Sequence, residues 1–258
     1  MAKLRIDKLM VETGLVESIS QAQRLVMAGQ VRVDHQLVIN PSISFPEDAL
    51  IEIEWGPRYV SRGGEKLAAA LDEFKMEVNG FICADVGAST GGFTDCLLQH
   101  GVQKVYAIDV GRGILHWNLR QDPRVVVMEG VNARYLDQLP ERIDLVTLDA
   151  SFISSKVILP VVRAWFYDLP GQVIVLIKPQ FEATKSQSDR TKGVIRDPRI
   201  HSLVLSDVLH FADREGYQVS GLIRSPILGS KGNEEFLANL IFPGKTKVDL
   251  QKMIDGLF

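Results

Sequence analysis

Four charged side chains stand where a chain of alternating strands and helices places its chemistry. Lys178 closes the apolar run Val173-Ile174-Val175-Leu176-Ile177, and Asp149 closes Leu145-Val146-Thr147-Leu148. Glu235 opens Phe236-Leu237-Ala238, and Lys66 follows Ser61-Arg62-Gly63-Gly64-Glu65. An ammonium after five apolar residues is unfavourable unless it meets a partner or a function. A lysine beside a second cation in a desolvated cleft can give up its proton and serve as a base. The same set with both lysines charged would instead orient a hydroxyl and stabilise the negative charge that develops on it. The residue types allow either. A surface charge at a strand end explains any one of the four more easily than all of them together.

A second constellation is Ala84-Asp85-Val86-Gly87-Ala88-Ser89-Thr90-Gly91-Gly92-Phe93-Thr94, after the apolar Phe81-Ile82-Cys83 and before Asp95-Cys96-Leu97-Leu98. Strand, glycine-rich turn and helix start are the arrangement that binds nucleotide-like ligands in an open α/β sheet. The spacing is not G-x-G-x-x-G, and no Lys follows as in a phosphate-binding loop. A ligand without a pyrophosphate fits, and S-adenosylmethionine answers that description. Asp109, ending Val105-Tyr106-Ala107-Ile108, lies where an acid holds ribose hydroxyls. Position assigns Asp85 and Gly87 to the amino-acid portion of such a ligand. Ser89, Thr90, Gly91 and Gly92 would line its methionine, with Asp149 beside them. Asn132, or alternatively Glu129, would read the adenine edge.

The elements that must hold these residues read as α/β, a Rossmann-like sheet behind a small N-terminal α+β module. Strands are predicted at 81–85, 104–109, 125–128, 145–149, 173–177, 217–222 and 236–242, with helices between most of them. That order predicts a mostly parallel sheet covered on both faces, with ligands at its carboxyl edge. Only a loop separates the last two strands, which allows an antiparallel hairpin; a short helix follows within 246–258. In the N-terminal module one helix stops at Thr13-Gly14. A second, with Ser20 as N-cap, ends at Gly29. Strands follow at 31–34, 36–39 and 50–55, with a loop at 44–48, and Gly56-Pro57 breaks the pattern. The expected division is 1–55, a linker 56–65, and 66–258.

Composition sets outer limits. The 258 residues carry 46% hydrophobic and 24% charged side chains and a net charge of −3, an ordinary globular balance with no global basic signature. Any nucleic-acid surface must come from local clustering. Cys83 and Cys96 offer no disulfide framework or metal-ligand spacing and read as buried thiols, so no metal is expected. No apolar run approaches the length of a membrane span, and the start lacks the pattern of a signal peptide. A reducing, cytoplasmic setting is the default.

Two resemblances add to this reading. Arg5-Ile6-Asp7-Lys8-Leu9, Gly14-Leu15, Ser20-Gln21-Ala22-Gln23 and Gly29-Gln30-Val31-Arg32-Val33 together resemble the RNA-binding domain named after ribosomal protein S4. On that resemblance Arg5, Lys8, Gln21, Arg24 and Arg32 are candidate RNA contacts. This chain has Ser18-Ile19 and Asp34-His35 where that pattern usually has Ser-Arg and often Asn-Gly. Acidic neighbours further dilute the positive charge on which phosphate binding depends. The order Lys66, Asp149, Lys178, Glu235 resembles the tetrad of FtsJ-type 2′-O-ribose RNA methyltransferases. The motifs Tyr59-Val60-Ser61-Arg62-Gly63-Gly64-Glu65-Lys66-Leu67, Lys178-Pro179-Gln180-Phe181-Glu182 and Gly232-Asn233-Glu234-Glu235 extend the resemblance. With the glycine turn and Leu148-Asp149-Ala150-Ser151-Phe152, they are similar to the hemolysin A / TlyA family over nearly the whole chain.

The resemblance implies S-adenosylmethionine-dependent methylation of a cytidine 2′-hydroxyl in ribosomal RNA of the large and possibly the small subunit. Lys178 would act as base or orienting cation, Lys66 as its neighbouring cation. Asp149 would orient Lys178, and Glu235 would position Lys66 and the ribose. The partners implied are ribosomal RNA or ribosomal subunits. A basic stretch with Lys185, Arg190, Lys192, Arg196 and Arg199 would clamp RNA phosphates, joined by Arg58 and Arg62. A non-catalytic RNA-binding factor on the same fold is the competing reading. A membrane-active hemolysin, suggested by the family name alone, would need an exposed apolar helix or hairpin.

Overall fold

Strands of three residues carry no readable period, and the N-terminal unit is built from them. The computed structural model describes residues 3–167, 169–184 and 193–258, and the chain divides into units Met1–Arg58 and Tyr59–Phe258. In the first, β1 (Lys3–Arg5) leads into α1 (Ile6–Glu12) and α2 (Ile19–Met27). β2 (Val31–Val33), β3 (Gln36–Val38), β4 (Ser44–Pro46) and β5 (Ile51–Ile53) follow. β2 lies between β3 and β5, and β1 pairs antiparallel with β4, so part of the expected loop 44–48 is a strand. The cap of α2 is Ser18 rather than Ser20: its hydroxyl accepts the Gln21 N–H, which a residue inside the first turn cannot reach. Asp34 and His35 both take left-handed φ (49° and 65°) in the β2–β3 turn, the conformation that Asn-Gly adopts with less strain. Ile6, Met10, Ala22 and Val26 pack on Val31 and Val33 as the core of this unit.

The second unit begins with α3 (Gly63–Glu73), so Lys66 is on a helix. β6 (Ile82–Val86), α4 (Gly92–Gln99), β7 (Lys104–Asp109), α5 (Trp117–Gln121) and β8 (Val125–Glu129) follow. Then come β9 (Leu145–Leu148), α6 (Ser155–Val162), β10 (Gly171–Ile177) and the single turn α7 (Pro179–Glu182). α8 (Pro198–Arg214), β11 (Gln218–Arg224), β12 (Phe236–Phe242) and α9 (Leu250–Asp255) complete it. The seven strands form one sheet in the order β11-β12-β10-β9-β6-β7-β8. β12 runs antiparallel to both its neighbours, β10 and β11; the pairs on the other side are parallel.

Both faces are covered, as near-continuous apolar runs require. Val173, Val175 and Ile177 of β10 face a core shared with α6, α8 and α9. Ile174 and Leu176 of the same strand face the core under α3, α4 and α5. Cys83 and Cys96 are buried free thiols, and burial pushes the Cys83 thiol well above its ordinary value. Among the described residues no helix is long and apolar enough to cross a membrane.

Candidate active site

The sheet register brings three of the four charges to one edge. β10 ends at Ile177, which sits opposite Phe236, the first residue of antiparallel β12. Lys178 and Glu235, one step beyond that pair, therefore emerge at the same edge. β9 runs parallel beside β10, with Leu148 opposite Val175, so Asp149 leaves the sheet at the edge too. Lys66 reaches in from α3 and is 9% exposed. Its Nζ donates to Glu235 Oε2 at 2.5 Å, and Glu235 is 2% exposed. Lys178 forms an ion pair with Asp149 and donates to Ser151 Oγ at 3.0 Å. Burial raises the proton affinity of Asp149, against the opposing pull of Lys178 and, more weakly, Lys66. The four side chains thus form two ion pairs that act on one another, Lys66–Glu235 buried and Lys178–Asp149 at the cavity wall.

Glu235 sits in a close-fitting turn. A Cβ on Gly229 would come within 1.8 Å of Glu235 Oε1, so only glycine leaves room for the carboxylate there. Ser154 Oγ and the N–H and Oγ of Ser155 all donate to Glu182, at 2.5, 2.7 and 2.7 Å. The loop after β9 is thereby tied to α7, the turn after Lys178. Between those ties stands Phe152, 90% exposed, with φ at 65° and its ring 4.9 Å from that of Phe181. The Phe181 ring lies 5.9 Å from Lys178 Nζ. An exposed aromatic in a left-handed conformation is strained, of order 1–3 kcal/mol, and such strain gathers at functional sites.

Beside the pairs opens a cavity of about 540 Å³ whose lining includes Gly87, Ser89, Asp109, Asn132, Asp149 and Phe152. Lys178 also reaches it. Gly87 has φ at 83°, and a Cβ there would lie 2.5 Å from the Asp149 carbonyl oxygen; the turn can pass β9 only without a side chain. Asp109 accepts the N–H groups of Ser89 (2.8 Å) and Gly111 (2.7 Å) and so braces the two loops that form the cavity mouth. Each of its oxygens keeps a second acceptor position.

Other residues expected at the cofactor stand elsewhere. Asp85 is fully buried beneath the turn, accepting from Thr94 Oγ1 (2.7 Å) and Thr147 Oγ1 (3.0 Å), and burial raises its pKa to about 6. Thr90, Gly91 and Gly92 are not in the cavity lining. Gly91 is needed for its left-handed φ of 98°, and Gly92 because a Cβ would meet Ser61 Oγ at 2.3 Å and the Gly64 backbone nitrogen at 2.9 Å. Glu129 is likewise outside the lining. It pairs with Arg120 and accepts the N–H groups of Gly113, Ile114 and Leu115, which holds its carboxyl far below the usual range.

Of the residues considered for RNA, Lys8, Arg24, Arg58, Arg62 and Arg196 are exposed. Arg5 is committed to Asp7, which is 1% exposed and also accepts from Gln23, and Arg32 pairs with Glu54 at 2.5 Å. Gln21 Oε1 accepts the Glu17 N–H. Lys185, Arg190 and Lys192 lie outside the described residues. Among the described residues no group of His, Cys, Asp and Glu could hold a metal ion. The sequence reading missed Ser151, Phe152 and Glu182. Its available signal was an aromatic in Asp149-Ala150-Ser151-Phe152, four positions past the end of an apolar run that does not need it.

Residues 59–242 match the family model described as FtsJ-like methyltransferase, and residues 4–44 match the S4 domain. Among curated relatives, "Putative rRNA methyltransferase YqxC" of Bacillus subtilis (strain 168) is 46% identical over 94% of this chain and 87% of that one. "16S/23S rRNA (cytidine-2'-O)-methyltransferase TlyA" of Mycobacterium tuberculosis is 39% identical over 99% of this chain and 94% of that one. The solved structure "Putative hemolysin from Streptococcus thermophilus" superposes with a TM-score of 0.73 at 41% identity, covering 99% of this chain and 96% of that one.

Proposed function

The chain belongs to the FtsJ-like methyltransferase family, and from that premise we propose that it methylates the 2′-hydroxyl of a cytidine in ribosomal RNA, using S-adenosylmethionine. The observation that carries this reading is the pairing of Lys66 with Glu235 and of Lys178 with Asp149 beside the cavity lined by Gly87 and Asp109. The relatives named for cytidine 2′-O-methylation supply the nucleotide and the RNA class. Work on ribosomes would place the protein in the cytoplasm.

The cofactor fits the residues present. Gly87 lets the turn lie close against the end of β9 and so shapes one wall of the cavity, Asp109 offers acceptors to ribose hydroxyls, and Asn132 and Ser89 border the same space. When bound, S-adenosylmethionine supplies a methyl group on a sulfonium, which an oxygen nucleophile can take.

The protein's own groups manage the proton. Lys178 spends two N–H directions on Asp149 and Ser151, leaving the third for the substrate hydroxyl oxygen. In the base role that third position is instead a lone pair on a neutral amine, which Asp149 and Ser151 hold toward the hydroxyl. As the 2′-oxygen forms its bond to carbon, its proton passes to this amine, and the pair later releases one proton to water. Glu235 holds Lys66 so that its positive charge stays in the cleft. Phe152 offers an open ring face on which the target base can stack, a contact worth about 1–3 kcal/mol.

The test is transfer of labelled methyl to unmodified ribosomal subunits and intact ribosomes, with Lys178→Ala as control. Label from the wild type alone, giving one cytidine resistant to alkaline cleavage, is the expected result. Cofactor binding without transfer to any ribosomal substrate would refute the substrate assignment, and no cofactor binding would favour an RNA-binding factor. Lys178→Arg separates the two roles of that residue, because a guanidinium keeps the charge but does not give up its proton. Activity near wild type would leave orientation alone as its role.

A further inference from the structure

Segment 193–196 is stitched to the catalytic turn by two buried side chains, Asn233 and His201. Ile195 is buried, and both of its backbone groups are taken by side chains rather than by a strand. Its N–H donates to Asn233 Oδ1 at 3.0 Å, and its carbonyl accepts from His201 Nε2 at 3.1 Å. A carbonyl only accepts, so this nitrogen of His201 carries the proton. Asn233 Nδ2 donates in turn to Gly193 O and to Ser230 O, both at 3.1 Å. Asn233 is 2% exposed and His201 1%. The Asn233 carbonyl accepts the Gly229 N–H at 2.8 Å, closing the turn whose glycine admits Glu235. Arg196 points to solvent one residue beyond the anchored Ile195.

We propose that Asn233 is a positioning residue: it fixes segment 193–196 in register with the Lys66–Glu235 pair, so that RNA phosphate held by Arg196 is placed against the catalytic turn. The proposal rests on the RNA methyltransferase reading. Both N–H groups of the Asn233 amide and its oxygen are engaged by the segment and the turn, and the residue stands two positions before Glu235. A side chain that only filled space there would not need to bond both sides of the seam. Aspartate at this position could accept from Ile195 but could not donate to the two carbonyls.

The experiment is a double-mutant cycle on methyl transfer to ribosomal subunits, with Asn233→Ala, Arg196→Ala and the pair. Arg196→Ala alone should lower kcat/KM for the RNA substrate by about tenfold, the scale of a lost phosphate contact. In the Asn233→Ala background the same change should have almost no effect, while the cofactor Kd stays within about twofold of wild type. Independent, multiplying effects would overturn the proposal, since a purely structural Asn233 would leave the Arg196 contribution intact. His201→Gln, which keeps an N–H for the Ile195 carbonyl, should behave as wild type, whereas His201→Ala should lose the Arg196 effect as Asn233→Ala does. That second pair decides the matter if Asn233→Ala does not fold. Hydrogen exchange with and without deproteinised ribosomal RNA needs no activity. RNA should protect 193–196 and 229–235 together in the wild type, and separate protection would count against the coupling even if the methylation reading itself failed.

Discussion

Replacing Asp85 with Asn should make the protein more stable at neutral pH, and the gain should vanish in acid. Asp85 is fully buried, and burial lifts its carboxyl from 3.8 to about 6 despite hydrogen bonds from Thr94 and Thr147. An acid whose folded pKa is raised binds its proton more tightly when folded. Its contribution is therefore most favourable below the unfolded value near 3.8, falls as pH rises toward 6, and is level above that. A difference of about two pH units corresponds to about 3 kcal/mol. Asn carries no charge to desolvate, and the two threonine hydroxyls can donate to its carbonyl oxygen or rotate to accept from its NH2 group. Urea unfolding of both proteins at pH 4, 5, 6 and 7.5 measures the difference. The advantage of Asp85→Asn should grow by about 2–3 kcal/mol from the lowest pH to the highest, mostly between 4 and 6. A difference that does not change with pH would refute the argument that the buried carboxylate is ionised at a cost.

Removing Glu235 as Glu235→Ala strands a buried ammonium and should cost about 3–5 kcal/mol in denaturant unfolding and abolish methyl transfer; Lys66→Met with Glu235→Leu should recover most of the stability and none of the activity. Gly87→Ala drives a methyl group into the Asp149 carbonyl at a positive φ, so calorimetric titration should show cofactor affinity lost by at least about tenfold, and an unchanged Kd would sink the assignment of this cavity wall to the cofactor. Phe152→Gly removes an exposed ring from a strained position; the melting temperature should hold or rise by an amount worth about 1 kcal/mol while kcat/KM for RNA falls about tenfold or more. Full activity of that variant would show that the ring has no part in binding the base.

The legible parts of this fold were those whose signal is local. Strands 104–109 and 236–242 coincide with β7 and β12 because a strand buried on both faces is a near-continuous apolar run. Lys178, Asp149 and Glu235 stood out because a charge at the end of such a run contradicts its surroundings. α3 was harder to read: Gly63 and Gly64 look like a break, yet Gly64 is there because a Cβ would meet the Tyr59 ring at 2.2 Å. Pairing of Lys3–Arg5 with Ser44–Pro46 leaves no trace in either segment. The same limit applies at the site. Asp85 sits in the turn its motif announces, but which way its carboxylate faces is decided by Thr147, 62 positions away. Glu182 and Phe152 matter through contacts between two loops, and no single-segment pattern carries that information.

The placement of β12 has a consequence for the order in which the protein becomes competent during synthesis. Translation delivers β12 last of all the strands, yet it lies inside the sheet, between β10 and β11. Lys66 therefore waits for a partner 169 positions downstream. Long-range pairings of this kind form slowly, because the intervening chain must be closed before any contact compensates for it. Until residues 235–242 have left the ribosome and paired with β10, Lys66 has no counterion and β10 presents an open edge. A nascent chain can thus assemble the glycine turn of its cofactor cleft well before it can assemble the proton-handling edge, and it acquires that edge only when the sheet closes.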